Sequence, residues 1–484
     1  VEKKLPSEVV FWYAGSMKKV IKIIIILIII FAIYNRFKPL PEGISENWDI
    51  HNVPSEGVSF IYDETYVDLE GNRYVNQNIF DEVIRMVDNA DKYILIDMFL
   101  FNDFQGNATE DTRDISKELT RALIDKNDEV EITFITDPIN TIYGGLESDN
   151  LNKLRKEGIN VVITDLTKLR DSNIVYSALW RPILRYLPVD FVSLPNPFSE
   201  KGESVNMTSY LKLLNFKANH RKLIVADDGD KMVSLITSAN PHDGSSAHGN
   251  VAVKIKDYIW KDIIDSEIAV GNFSNIEVSE YKKDVEDKEG EVKVQLLTES
   301  KIRNSVIELI SKSKTGDAIF LSMFYLSEKK IIRELIKASN KGVNIKVILD
   351  PNKDAFGREK NGIPNRVVAN DLVENDIELR WCDTHGEQCH GKMIIFKTRD
   401  KTTMILGSAN YTRRNLKDFN LESNVLVKGT RNEEVFLDAE EYFNRAWNNE
   451  ENKVYTIEKE EYLEKSFIKK SLYNIMEISG LSSF

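Results

Sequence analysis

A short pattern occurs twice, 170 residues apart, and restricts the chain to folds with an internal repeat. His220-Arg221-Lys222 is followed by Ser238-Ala239-Asn240, and His390-Gly391-Lys392 by Ser408-Ala409-Asn410. In both copies His to Asn spans 20 positions and Lys to Ser 16, and two of only six histidines occupy the equivalent places. Between each Lys and its Ser lie two apolar runs, Leu223-Ile224-Val225 and Val233-Ser234-Leu235-Ile236, then Met393-Ile394-Ile395-Phe396 and Thr403-Met404-Ile405-Leu406. Charged turns at 227–230 and 398–401 separate them, so each copy reads as a β-hairpin. Residues i and i+2 of a strand share a face, which puts His and Lys of each copy on one side. Two such clusters, related by pseudo-symmetry, bring two imidazoles, two ammonium groups and two carboxamides to one pocket. That inventory suits an anionic phosphodiester.

The segments around the motif repeat as well. The first half predicts a helix over about 77–90, a strand at Tyr93–Phe99, a helix over about 112–125, a strand at Val130–Ile135, a helix over about 150–157 and a strand at 160–163. The second predicts helices near 302–313, 328–340 and 364–373, with strands at Ala318–Phe324, 344–349 and 377–380. Asp137-Pro138 and Asp350-Pro351 close equivalent strands. Such alternation implies an α/β fold with helices covering mixed sheets. From Asp137 to His220 is 83 positions, but from Asp350 to His390 only 40, so the first half carries about 43 extra residues within 166–215. Apolar and aromatic side chains there alternate with arginines, from Leu179-Trp180-Arg181 through Arg185-Tyr186 to Phe191, Leu194 and Phe198. That mixture suits a lid or lipid-contacting rim beside the pocket, with Trp180 and Tyr186 as its anchors, or equally an extra helix packed on the domain's own core. The resulting division is an N-terminal segment (1–35), a linker (36–56), a first half (57–285), a second half (286–450) and a C-terminal helical tail (451–484). The tail, with Tyr462, Phe467, Ile468 and Leu472, is expected to pack on the second half.

Net charge is −13, which counts against a protein gripping long duplexes through a basic face. Cys382 and Cys389 are too few for a disulfide framework; they read as two packed thiols, with one local bridge as the alternative. His385, Cys389 and His390 are too crowded for zinc spacing. Near the N-terminus Lys18, Lys19 and Lys22 precede twelve apolar residues, Ile23 to Tyr34, with seven isoleucines in the first eight. Counted back to Val20 the run is about 15 residues, shorter than the roughly 20 of a spanning helix, which Lys22 could extend by snorkelling. No small-residue cleavage site follows, so the segment reads as an uncleaved anchor, and Met17 as the initiator. Three lysines before it, against Arg36 and Lys38 after it, place the catalytic part outside the cytoplasm.

His220-x-Lys222 with four residues before Asp227 resembles the HxKxxxxD signature of the phospholipase D superfamily, and His390, Lys392 and Gly407-Ser408-Ala409-Asn410 resemble its second copy. The resemblance spans roughly residues 55 to 450. It implies two α/β/α repeats with the active site between them, no metal or cofactor, and a catalytic unit complete as a monomer. It also implies a covalent phosphohistidine, with His220 as nucleophile and His390 as acid and base; the sequence itself does not order the two. Lys222, Lys392, Asn240 and Asn410, with Ser238 and Ser408, are the expected phosphate-binding groups, able to meet the charge that develops on the non-bridging oxygens. Asp227 is the supporting carboxylate of the first signature; Lys397 stands in its place in the second. A carboxylate orienting each ring is expected 25–35 positions after the His. Glu422 fills that slot for His390, whereas the first-half slot offers His248 and Asn250, which leaves His220 without a carboxylate. The expected function is hydrolysis or exchange of phospholipid headgroups at a membrane, with cardiolipin synthase-like transfer or a nuclease acting on DNA or RNA as alternatives.

Overall fold

The apolar runs become the central strands of two sheets. The computed structural model describes residues 7–106, 112–198, 203–282, 290–355 and 358–482. An N-terminal helix, α1 (Ser7–Phe37), comes first. The first half then runs β1 (Val58–Asp68), α2 (Ile79–Asn89), β2 (Tyr93–Met98), α3 (Ile115–Lys126), β3 (Glu131–Thr136), α4 (Asp149–Lys156) and β4 (Asn160–Ile163). The insertion, carrying α5 (Ile174–Trp180), precedes β5 (Lys222–Asp228), β6 (Lys231–Thr237), β7 (Asn250–Lys256) and α6 (Trp260–Ser274). The second half repeats the order as β8 (Val292–Thr298), α7 (Ser300–Lys312), β9 (Ala318–Met323), α8 (Lys329–Ser339), β10 (Asn344–Leu349), α9 (Asn365–Val373) and β11 (Glu378–Cys382). Then follow β12 (Lys392–Lys397), β13 (Lys401–Gly407), β14 (Ser423–Thr430), α10 (Glu434–Asn448) and, in the tail, α11 (Phe467–Ser479).

The strand orders coincide. The first sheet reads β1-β7-β6-β5-β2-β3-β4 and the second β8-β14-β13-β12-β9-β10-β11, each with a parallel trio ending in an antiparallel hairpin group. Both sheets are therefore mixed, and both HxK hairpins are the predicted ones, β5–β6 and β12–β13. The central strands are buried on both faces, which is why they read as continuous rather than alternating apolar runs. Alternate residues still separate: Leu95, Leu223, Val225 and Val251 share one core with Val294, Ile395, Leu406 and Val427 of the other sheet, whereas Ile94, Ile96 and Ile224 face α2, α3 and α4. The inner faces of the two sheets thus meet in one core, with helices outside.

Two expectations about the ends change. The stretch 36–56 is more than a linker, because His51–Val53 adds an edge strand to the second sheet through β8. Beyond α10, Lys453–Val454 pairs with β1 of the first half and Thr456–Glu458 with β11 of the second, so the tail straps both sheets. The boundary at 285/286 falls outside the described residues. On α11 the packed side chains are Tyr473 and Glu477, while Phe467 and Ile468, expected to pack, are 82% and 78% exposed. Helix α1 contains a 21-residue stretch, Met17–Phe37, long and apolar enough to cross a membrane. It exceeds the run counted from sequence because the helix continues through Asn35 and Arg36, and at 1.5 Å per residue it measures about 30 Å.

One buried ion cluster joins the halves. Arg221, wholly buried, pairs with Glu267 of α6 and Glu299 of the second half at 2.8 Å each, and Glu299 also accepts the backbone N–H of Glu422 at 3.1 Å. Removing one partner strands the other charges in a low-dielectric interior. Arg221→Leu is expected to destabilise the protein by about 3–5 kcal/mol, read as a lowered denaturation midpoint; a loss under about 1 kcal/mol, the range of exposed pairs, would show that the cluster is not a strut.

Candidate active site

His220 and His390 lie two residues before the first ladder residue counted on each hairpin strand, β5 and β12, where the backbone of the opposite half is within reach. The His220 N–H donates to Leu421 O at 2.9 Å, and the His390 N–H donates to Gly249 O at 2.8 Å. The residue after each acceptor therefore falls beside the opposite ring. Glu422 Oε2 lies 2.9 Å from His220 Nδ1, and Asn250 Oδ1 lies 3.0 Å from His390 Nδ1. This reverses the sequence-based pairing. Glu422 serves the histidine of the first half, because the contact crosses between halves instead of closing within one. His220 has its carboxylate, and the ring held by a carboxamide is that of His390.

The serines orient these partners. Ser408 Oγ donates to Glu422 Oε2 at 2.5 Å, and Ser238 Oγ donates to Asn250 Oδ1 at 3.0 Å. Asn415 also donates to Glu422 Oε1. Asn250 Nδ2 donates to His248 O at 3.1 Å, which turns its carbonyl oxygen to His390 and makes Nδ1 the protonated nitrogen of the neutral ring. Nε2 of each imidazole has no protein partner among the described residues. His220, His390, Asn240 and Asn410 line one cavity of about 340 Å³. Lys222 and Lys392, both wholly buried, lie behind it, donating to the carbonyls of His220 and His390 at 2.8 and 2.7 Å. Ser238 and Ser408 likewise brace their neighbours rather than facing the cavity.

Burial dominates the electrostatics. It pushes His220 down to about 4 against the opposing pull of Glu422, and takes His390 well below its ordinary value with help from Lys392 and His248. Lys222 is lowered to about 7 and Lys392 well below its usual range, again by burial first. A cavity ringed by such groups gains their full charge when an anion enters. Asp137 and Asp350, raised by burial to about 7 and about 6, accept the backbone N–H groups of Asn219 and Cys389 at 2.7 and 2.9 Å, bracing the residue before each histidine.

Asp227 is elsewhere. It lies at the far end of β5 from Lys222, and its carboxylate accepts the N–H groups of Asp91, Lys92 and Tyr93 at 3.2, 3.0 and 2.8 Å, fixing the start of β2. Its part is structural, which explains why Lys397 can replace it in the second copy, where it reaches Glu440 instead. Cys382 and Cys389 form a disulfide, not two thiols, tying β11 to the residue before His390. Trp180 of the insertion is buried rather than lipid-facing; Tyr186 and Phe191 are the exposed aromatics. Sequence reasoning missed Phe99 and Phe324, whose ring centroids lie 4.7 and 4.9 Å from the His220 and His390 rings and 4.9 and 5.1 Å from the Lys222 and Lys392 ammonium groups. The repeated Met-Phe ending Met98-Phe99 and Met323-Phe324 was the available signal. Arg414, Lys360, Tyr325 and His242, which also line the cavity, carry no such repeat.

The chain is similar to known proteins in part of its sequence and in its fold. Residues 306–447 match the family model described as cardiolipin synthase, PLD-like domain. The fold resembles that of phosphatidylserine synthase from Haemophilus influenzae Rd KW20, at 10% identity and a TM-score of 0.55, over 91% of this chain and 97% of that one. Nuc from Salmonella typhimurium, a phospholipase D family member, matches 33% of this chain and 95% of its own at 23% identity, with a TM-score of 0.27. No curated protein matches the chain. The resemblance to the phospholipase D superfamily drawn from the duplicated motif is borne out.

Asp227→Ala should leave turnover of a soluble phosphodiester within about threefold while lowering the thermal midpoint, because three backbone donors lose their acceptor at about 1–3 kcal/mol for each one left buried and unpaired. A collapse of turnover in folded protein would return Asp227 to the catalytic set.

Proposed function

We propose that the chain cleaves the phosphodiester of a membrane phospholipid through a phosphohistidine on His220 and passes the phosphatidyl group to an alcohol or to water. The observation that carries this reading is the unequal support of two imidazoles on one cavity: a carboxylate behind His220, a carboxamide behind His390. As His220 Nε2 attacks phosphorus, positive charge develops on its ring, and Glu422 stabilises it through Nδ1–H. The P–Nε2 bond forms while the bond from phosphorus to the leaving alkoxide breaks, and His390 Nε2–H gives that oxygen its proton. An acceptor alcohol or water then loses a proton to His390 and attacks phosphorus, and the P–Nε2 bond breaks. A neutral partner leaves the His390 imidazolium a stronger acid, as donation to a poor leaving group demands. Asn240 and Asn410 at the cavity wall are placed to donate to non-bridging oxygens, with the two lysines supplying charge from behind.

The lipid substrate is supported by α1, by the likeness of residues 306–447 to the cardiolipin synthase, PLD-like domain family, and by apolar side chains left open to solvent on α11 and the insertion, Phe467, Ile468, Ile478 and Phe191 among them. In this reading α1 anchors the chain and the positive-inside balance directs the catalytic part away from the cytoplasm. Net acidity counts against nucleic acid.

Full-length protein in mixed micelles, given phosphatidylglycerol labelled in its phosphate and quenched in acid, should trap label on His220; no label trapped from the lipid, with plasmid DNA cleaved in a parallel reaction, would overturn the lipid reading. Glu422→Gln is expected to lower kcat by about 10²–10⁴-fold, the order seen when a ring loses its orienting carboxylate, and Asn250→Ala by less; the reverse ranking would reverse the two roles. For free enzyme, His220 must be neutral, which holds above about 4, and His390 protonated, which holds only below its depressed pKa. The profile of kcat/KM should therefore peak on the acid side and fall as pH rises towards 7.

A further inference from the structure

Where α1 ends, three arginines stand together, none of them in an ion pair among the described residues. Arg36, in the last turn of α1, and Arg413, just past the second Ser-Ala-Asn, flank one buried ring: their guanidinium carbons lie 5.0 and 5.5 Å from the centroid of Phe419. Arg414 follows, over Phe216 at 5.2 Å, and lines the reaction cavity. The Nη1 atoms of Arg36 and Arg413 are buried with no hydrogen-bond partner among the described residues. The remaining contacts are neutral: Arg413 Nη2 donates to Ser172 O at 3.3 Å, and Arg414 Nη2 to Ser482 Oγ at 3.4 Å.

Arginines close by are treated differently. Arg170 pairs with Asp418 at 3.0 Å, and Arg181 with Asp171 at 2.7 Å. The carboxylate whose charge acts on Arg413 and Arg414 is that of Glu477, which accepts a hydrogen bond from Ser327 at 2.6 Å and makes no ion pair with either. Burial and mutual repulsion hold both guanidinium groups below their ordinary values, Arg414 at about 10. Uncompensated, partly buried charge of this kind is costly unless an anion completes it, and planar guanidinium groups match the oxygens of a phosphate.

Position selects the anion. Arg36 closes a helix long and apolar enough to cross a bilayer, so its guanidinium stands at headgroup depth. Arg414, at the other end of the cluster, already faces the cavity. We infer that Arg36, Arg413 and Arg414 form a docking site for the phosphate of an anionic phospholipid in the leaflet that α1 leaves, beside the reaction cavity. The inference rests on α1 entering a bilayer and does not require turnover. Three cations, with Glu477 nearby but paired with none of them, favour a headgroup without an ammonium of its own.

The test uses full-length protein, delipidated in detergent and re-exposed to phosphatidylglycerol or phosphatidylcholine at equal mole fraction, with retained lipid counted by mass spectrometry. Phosphatidylglycerol should be retained roughly thirtyfold over phosphatidylcholine, about the effect of two interfacial basic residues. The doubly substituted Arg36→Gln, Arg413→Gln protein should lose that preference, and Arg36→Lys with Arg413→Lys should keep most of it. The thermal denaturation midpoint of each variant reports that the fold is intact. Equal retention of the two lipids by the unsubstituted protein, or undiminished preference in the glutamine variant, overturns the site. Displacement of the lipid by inorganic phosphate alone overturns the lipid as its occupant. Because retention is read without catalysis, a failed site and a failed phosphodiester reading are told apart.

Discussion

Two backbone hydrogen bonds carry the arrangement on which the rest depends: His220 N–H to Leu421 O and His390 N–H to Gly249 O. Each fastens a histidine to the opposite half, one residue before the side chain that orients its ring. Placement of Glu422 and Asn250 is therefore a consequence of main-chain pairing, and the serines, Asn415 and the buried Arg221–Glu299 contact secure what that pairing sets up. Neither ring is held by its own half.

The site is symmetric in backbone and asymmetric in charge. Strand order, lysine-to-carbonyl contacts, Phe99 and Phe324, and Asp137 and Asp350 all repeat. Departures concentrate where the chemistry needs them: carboxylate against carboxamide behind the rings, and Arg414 on one side of the cavity with Gly244 in the corresponding place. Two imidazoles in identical surroundings would titrate together, whereas unlike partners separate their pKa values, as the proposed division into nucleophile and acid requires. Burial is the largest cause of the lowered pKa of both rings.

Much of the fold was legible because its signals are local. Runs such as Tyr93-Ile94-Leu95-Ile96 and the charged turns between hairpin strands declare themselves through burial and turn chemistry, and the observed central strands begin and end within three residues of expectation. The edge strand at His51–Val53 and the split tail strands at 453–458 were not legible, because two or three residues of pairing leave no periodicity. In the site, residue identities came from the motif but partners did not. Spacing from His390 to Glu422 is the same whether the carboxylate turns to its own ring or to the other, and only the tertiary contact decides. Asp227 illustrates the converse: a motif position whose regularity reflects strand anchoring, not reaction chemistry.

The exchanged edges have an evolutionary meaning. A strand from before the first half completes the second sheet, and a strand from beyond the second half completes the first. Fragments severed at the midpoint would each lack a border supplied by the other, so recombination cannot shuffle these halves as separate modules. Held as obligate companions, the two halves can carry unlike side chains at matching positions, as Glu422 and Asn250 do behind the two rings, which identical subunits of a homodimer cannot.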